Sequence, residues 1–196
     1  MMDFRRAIKG VTWSALVAAV IWSLAGCASN PEQIPVGTAR TDVLQALGRP
    51  TAQYPHGEVR CPSVKGSEGR RASSPGNPGL INGERLQYSM QPAGRLVYNV
   101  DLDANGRLVR AEQALNEALF PQRIIPNCWT RDDVLREYGP PARVEGVHNF
   151  QGQVWVWRYL DGITWRLLFI DVDPQGIVRG YSVGDEPLPE PRDPPR

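Results

Sequence analysis

The sequence predicts an α+β protein made of two repeats, in each of which a short helix, or a helix pair, packs on an antiparallel three-stranded sheet. Three observations support this fold class: an internal repeat, helix-capping signals in both copies, and strand patterns separated by short turns. Residues 34–50 align without a gap on residues 125–141, and eight of the seventeen positions are identical. A second block pairs residues 100–106 with residues 170–176 at an offset of 70 instead of 91, so the first copy holds 21 more residues between its blocks.

An apolar segment precedes the repeats. Arg5, Arg6 and Lys9 are followed by an uncharged run from Val11 to Ala25. This run is shorter than the ~20 residues that span a bilayer as a helix, and a basic start followed by an apolar run is typical of an export signal. We therefore expect residues 1–26 to be a signal peptide. Without them the chain has 19 positive and 20 negative side chains, which excludes the basic excess typical of nucleic-acid binding.

The first repeat is predicted over residues 27–113. Val43, Leu44 and Leu47 form an apolar stripe on a short helix. Thr38 and Thr41 compete as the N-cap of this helix, and Gly48 ends it. The stretch 57–83, rich in glycine, serine and proline, accommodates the additional residues as a loop insertion. β-Branched and aromatic patterns then predict strands at residues 85–90, 95–102 and 108–113.

The second repeat is predicted over residues 114–184. Its opening stretch, residues 111–120, is either a helix or a plain linker. Thr130 is the predicted N-cap of the main helix, with the Asp133 carboxylate placed to reach back to it, and Gly139 is predicted to end the helix. Three strands are predicted at residues 153–160, 164–172 and 177–183. Residues 185–196 contain five prolines, which predicts an extended or disordered tail.

Two cysteines remain once Cys27 is set apart. Cys61 lies in the loop insertion, and Cys128 precedes the main helix of the second repeat. In an oxidising compartment such a pair predicts a structural disulfide, which is worth about 4 kcal/mol for a loop of this length; two free buried thiols are the alternative.

A metal site needs more ligands than these cysteines, His56 and His148 provide at any recognisable spacing, so no metal is predicted.

Aromatic residues are concentrated in the second repeat, which holds every tryptophan outside the signal segment. Strand alternation places Trp155, Trp157 and Tyr159 on one face of the sheet. This face is either core or an exposed surface for a protein partner. On the second alternative, the predicted protein-binding residues are Trp129, Trp155, Trp157, Tyr159 and Trp165.

A catalytic site is not predicted. Neither His56 nor His148 lies in a nucleophile motif, and both are expected to be solvated loop residues. The aspartates of Asp101-x-Asp103 and Asp171-x-Asp173 suggest either a cation site or turn residues that bind nearby backbone N–H groups, and the turn interpretation is favoured. The sequence therefore indicates a protein that is not an enzyme and needs no cofactor.

The residues Leu24-Ala25-Gly26-Cys27 resemble the lipobox of bacterial lipoproteins. The resemblance implies that Cys27 is acylated, becomes the new N-terminus and anchors the chain to a membrane through its lipid. Ala28 stands where an aspartate would favour the inner membrane. The resemblance therefore implies the outer membrane, with the protein facing the periplasm.

In both copies an isoleucine precedes Arg-x-Asp-Val-Leu-x-x-x-Gly-x-Pro, a strand meander and an Asp-x-x-Gly turn. This order resembles the SmpA/OmlA (BamE-like) family of outer-membrane lipoproteins, and the tandem arrangement resembles the fold of the secreted β-lactamase inhibitor protein. The resemblance implies a non-catalytic, protein-binding role in outer-membrane protein assembly or envelope integrity. The partners it implies are periplasmic or outer-membrane proteins, among them the β-barrel assembly machinery. The alternative is an inhibitor or regulator of a periplasmic enzyme.

Overall fold

The computed structural model describes residues 30–56, Cys61 and residues 83–187. The predicted signal peptide at residues 1–26, the predicted lipid site at Cys27, most of the loop insertion and the tail from residue 188 lie outside the described residues. Within the described ranges, no helix is both long and apolar enough to cross a membrane.

Two antiparallel four-stranded sheets, each with its strands in chain order, make up most of the described chain. Sheet 1 contains β1 (Ala52–Pro55), β2 (Glu84–Ser89), β3 (Val97–Leu102) and β4 (Leu108–Gln113). Sheet 2 contains β5 (Arg143–Val147), β6 (Phe150–Asp161), β7 (Thr164–Val172) and β8 (Val178–Asp185). The helices are short: α1 (Arg40–Leu47), α2 (Phe120–Arg123) and α3 (Arg131–Tyr138).

This mainly β architecture shows that the predicted α+β fold, with helices on three-stranded sheets, is wrong. Each sheet has four strands because β1 or β5 joins it ahead of the three predicted strands. Neither added strand has the pattern of a buried strand: β1 has four residues and ends in proline, and β5 carries Arg143, Glu145 and Gly146. Both lie at sheet edges, where charge and proline are tolerated. The six predicted strands lie at the predicted places, although β8 extends to Asp185, which the sequence predicts to lie in the tail.

Helix α1 covers one face of sheet 1. Val43 is fully buried against β2 and β3, and Leu44 and Leu47 are partly buried beside it. The helix begins after Ala39, which offers no side-chain cap, so neither Thr38 nor Thr41 serves as the N-cap. The turn between β3 and β4 supplies an acceptor for this end of the helix. There the Gly106 carbonyl accepts a hydrogen bond from the Arg40 N–H at 2.9 Å, which satisfies one of the free donors of the first helical turn.

Helix α3 lies between the two sheets. The Thr130 hydroxyl accepts a hydrogen bond from the Asp133 N–H at 3.3 Å, and the Asp133 carboxylate accepts one from the Thr130 N–H at 2.8 Å. This capping box is the predicted one. Val134 and Tyr138 are fully buried in the core against sheet 2, and Gly139 ends the helix with φ 69°.

The C-terminal end of α3 meets sheet 1 through hydrogen bonds. The side-chain amides of Gln87 and Asn99, both fully buried, donate to the carbonyls of Arg136 and Glu137 at 3.1 Å and 2.8 Å. These carbonyls belong to the last helical turn, which lacks intrahelical donors. Sheet 1 thus supplies hydrogen-bond donors to the free carbonyls of a helix from the second half. The two halves therefore pack as one body.

The stretch that joins the sheets is neither a full helix nor a plain linker. A 3₁₀ turn covers Glu117–Leu119, and α2 adds a single helical turn. Phe120 of this turn is fully buried. Its ring packs edge-on against Tyr138 and Tyr159, with ring centroids 5.8 Å and 5.4 Å apart.

A disulfide joins Cys61 to Cys128, with the Cα atoms 4.6 Å apart. Cys128 is 4% exposed and belongs to the core of sheet 2. The structure therefore contains the predicted bond in place of two free thiols. It ties the segment that follows β1 to the second half of the chain.

Candidate functional site

Four of the five aromatic residues predicted to bind protein lie in the core. The exposed fraction is 4% for Trp129, 7% for Trp155, and 0% for Trp157 and Tyr159. They belong to the cluster that also contains Val134 and Tyr138 of α3. The core alternative therefore applies to these four. The prediction that these four residues lie at a partner surface is wrong, because α3 and sheet 2 enclose them.

Trp165 lies on the opposite face of sheet 2 and is 39% exposed. It pairs with Leu160 of β6, which is 40% exposed, and Ile163 in the turn between them is 97% exposed. Strand alternation separates Trp165 from the core aromatics because successive side chains point to opposite faces. We call Leu160, Ile163 and Trp165 the hairpin tip.

The turn of this hairpin is short. Asp161 pairs with Thr164, which leaves Gly162 and Ile163 as a two-residue loop. Gly162 takes φ 58°, a conformation that glycine adopts without steric cost, and a two-residue loop of this kind matches the twist of antiparallel strands. Ile163 is thus presented at the end of two long paired strands.

An ion network supports the hairpin tip on the face that carries Trp165. Glu186 accepts from Arg158 at 2.6 Å and from Arg95 at 2.9 Å. The Arg95 guanidinium also lies 4.0 Å from the centre of the Trp165 ring, a cation–π distance. Burial alone would raise the pKa of Glu186, but the hydrogen bonds from Arg158 and Arg95 outweigh burial and lower it. Because Arg95 comes from the turn between β2 and β3, the first half of the chain helps to hold the tip.

A second network supports the hairpin on the opposite face. The Tyr159 hydroxyl donates to Glu117 at 2.7 Å, and Arg166 contacts Glu117 at 3.2 Å and Asp185 at 2.5 Å. Burial and the bond to Glu117 raise the pKa of Tyr159, so its hydroxyl remains a donor at neutral pH. The hairpin is held on both faces before any partner binds, which reduces the entropy lost on binding.

A buried ionic cluster joins sheet 1 to α3. Asp101 is fully buried, and guanidinium nitrogens of Arg85 and Arg110 each lie 2.7 Å from its carboxylate. Arg85 also contacts Glu137 of α3 at 2.6 Å, and His56 Nε2 lies 3.3 Å from Asp101. Burial alone would raise the pKa of Asp101, but its contacts with His56, Arg85 and Arg110 hold that pKa well below the usual range.

His56 is not the solvated loop residue that the sequence predicts. It directly follows β1, an unpredicted strand, and its side chain is 18% exposed. His148 does lie in an exposed turn, between β5 and β6. In the described structure the side chains that contact the Asp101 carboxylate are those of Arg85, Arg110 and His56, with no hydroxyl or thiol among them. The His56–Asp101 pair is therefore accounted for by its place in the buried ionic cluster, which Arg85 links to Glu137 of α3.

Asp103 and Asp173 are turn residues, as favoured by the sequence. The Asp103 carboxylate accepts from the backbone N–H groups of Asn105 and Arg107, both at 2.8 Å. Asp173 makes the matching bonds in the second half. These bonds account for the repeated spacing without a cation. The part of the chain that the structure describes holds no group of three or more potential metal ligands.

The sequence patterns do not predict a site role for Leu160, for Ile163 or for the two ion networks that support the hairpin. A local signal for Ile163 did exist, because an Asp-Gly turn followed by isoleucine between two strand patterns indicates an apolar residue at a hairpin end. The networks had no such signal. The bond between Tyr159 and Glu117 joins residues 42 apart in sequence, and the bond between Arg95 and Glu186 joins residues 91 apart.

Comparisons with known proteins give little further information. No protein-family model matches the sequence, and no curated protein matches it. Among solved structures, the chain is similar to the crystal structure of a DUF4309 family protein (YjgB) from Bacillus subtilis subsp. subtilis str. 168. The identity is 12%, the match covers 76% of this chain and 79% of that chain, and the TM-score is 0.27. A likeness this weak supports no statement about fold or function.

Proposed function

We propose that this chain is a non-catalytic outer-membrane lipoprotein that binds other proteins through the hairpin tip. The observation that carries the proposal is that Leu160, Ile163 and Trp165 are exposed together, at the end of a hairpin that ion networks hold on both faces. Large apolar and aromatic side chains that lie among charged residues are typical of binding hot spots. Arginine, which is enriched in such sites, adjoins the tip at Arg95.

The proposed setting follows from the N-terminal segment. A lipid on Cys27 would anchor the chain in the outer membrane, facing the periplasm, and leave the folded part free to meet its partners. Those partners are periplasmic or outer-membrane proteins, with the β-barrel assembly machinery as one candidate. The role is scaffolding in outer-membrane protein assembly or in envelope integrity.

The test is crosslinking of the tagged full chain in intact cells, followed by identification of the captured proteins. We expect Ile163→Asp to abolish capture of a partner that the unsubstituted chain retains, since a charge at the tip would have to be desolvated in the interface. Val36→Asp is the matched control, because Val36 is also an exposed apolar residue, at 75%. Equal capture by the Ile163→Asp and unsubstituted chains would remove the hairpin tip from the proposal.

The shape of the tip favours a second candidate function, an inhibitor or regulator of a periplasmic enzyme. A protruding apolar residue on a pre-ordered loop suits insertion into a concave active site, because enzyme pockets are concave and mostly apolar. Purified protein would be added to cell-wall hydrolases and β-lactamases. On this candidate, inhibition occurs and is lost with Ile163→Asp; absence of inhibition leaves the scaffolding role as the proposal.

A further inference from the structure

We infer that the free edge of β5 pairs antiparallel with the same edge of a second copy of this chain, about a two-fold axis at Val144. Among the described residues β5 pairs with β6 alone, so its other edge presents backbone donors and acceptors without a neighbouring strand. Such an edge is a template for pairing with another strand. This inference concerns a surface separate from the hairpin tip and does not depend on the proposed function.

The edge of β5 is open to solvent. Val144 and Val147 are 46% and 47% exposed, and a Cβ atom built on Gly146 would meet no atom within 4 Å. Exposed valines on an edge strand gain stability when a second strand covers them, because cross-strand pairs bury apolar surface. Space and apolar surface are therefore both present along this edge.

The order of charges along β5 indicates that the pairing strand is β5 of a second copy. Arg143 and Glu145 lie on one face, on either side of Val144, and contact each other within the chain. In an antiparallel pair centred on Val144, Arg143 stands opposite Glu145 of the second copy, and Glu145 stands opposite Arg143 of that copy. A parallel pairing in register would instead place like charges together, which is destabilising. The Arg-Val-Glu order thus complements itself in one orientation.

The length of β5 limits the strength of this contact. The strand has five residues, and its register with β6 shifts between Glu145 and Val147. A small interface next to a bulge gives weak, concentration-dependent association. Covalent trapping therefore suits this contact better than the measurement of a stable dimer.

The test uses cysteine substitutions in the full chain, followed by mild oxidation and non-reducing electrophoresis. With Val144→Cys we expect a disulfide-linked dimer, since residues directly opposite in antiparallel strands have Cα atoms about 4.5–5.5 Å apart, within disulfide range. Val147→Cys is the matched control, with nearly equal exposure. Six residues of strand would separate its two copies by about 20 Å, so we expect no such dimer.

A charge exchange tests the orientation. In the Val144→Cys chain, Arg143→Glu places like charges opposite each other twice, and we expect about tenfold less dimer. Adding Glu145→Arg restores opposite charges in both pairs, and we expect the dimer to return. Absence of the Val144→Cys dimer, equal dimer from Val147→Cys, or failure of the second substitution to restore it would each overturn the inference.

Discussion

Asp101 is the residue on which the electrostatics of the ionic cluster depend, because it is fully buried among three cationic or protonatable groups. We expect Asp101→Asn to lower the free energy of unfolding at neutral pH by about 3 kcal/mol or more, since it leaves the guanidinium of Arg85 without one of its partners. The pKa of Asp101 is lower in the folded state than the unfolded value of about 3.9. Its stabilisation is therefore complete above that value and is lost as the pH falls below it.

Urea unfolding at neutral pH and at about pH 3 measures this effect. The unsubstituted chain should lose more stability on acidification than the Asp101→Asn chain. Asp42→Asn, at an exposed position in the first turn of α1, is the control. An identical loss on acidification in all three chains would contradict the role assigned to Asp101.

Substitutions at Trp157 and Trp165 distinguish the buried aromatic core from the hairpin tip. Trp157 is fully buried, and its ring N–H donates to the Gly139 carbonyl at 3.2 Å. We expect Trp157→Ala to cost about 3–5 kcal/mol of unfolding free energy. Trp165→Ala removes a half-exposed ring and a cation–π contact, so about 1 kcal/mol is expected. Chemical denaturation of the two variants checks this, and similar losses would contradict the assignment of Trp165 to the surface.

At the level of elements, the two glycines that end α1 and α3 offer a matched comparison. Both have positive φ, 77° at Gly48 and 69° at Gly139. A Cβ at Gly139 would lie 2.9 Å from the Gln87 side-chain oxygen, whereas a Cβ at Gly48 would meet no atom within 4 Å. We expect Gly48→Ala to cost about 1 kcal/mol for backbone strain. Gly139→Ala should cost more, since the buried Gln87 side chain, which donates to the α3 carbonyls, must also shift, and equal losses in thermal or urea unfolding would contradict the tight contact between α3 and sheet 1.

The elements also show which parts of the fold are predictable from sequence. The capping box at Thr130 and the six alternating strands depend on residues close in sequence, and they lie where predicted. Strands β1 and β5 carry no such local pattern, because an edge strand is selected by its neighbour more than by its own composition. The aromatic face of β6 could be placed on one side of the sheet, but its burial depends on α3. Of the hairpin tip, the sequence predicts only Trp165 as a binding residue.

At the scale of the whole molecule, the disulfide and the ionic cluster both join the first half of the chain to the second. Cys61 and Cys128 are 67 residues apart, and for a loop of that length we expect Cys61→Ser combined with Cys128→Ser to cost about 4 kcal/mol. Unfolding should remain a single transition, because sheet 1 still caps α3. Two separate transitions in calorimetry would show that the halves are independent and would contradict the packing described above.

A photoreactive amino acid placed at Ile163 of the full chain in intact cells tests most directly whether the hairpin tip contacts a protein partner. We expect a discrete adduct with another protein, absent when the same residue is placed at Val36. Adducts with lipid alone, or the same protein adduct from both positions, would contradict a partner contact at the hairpin tip.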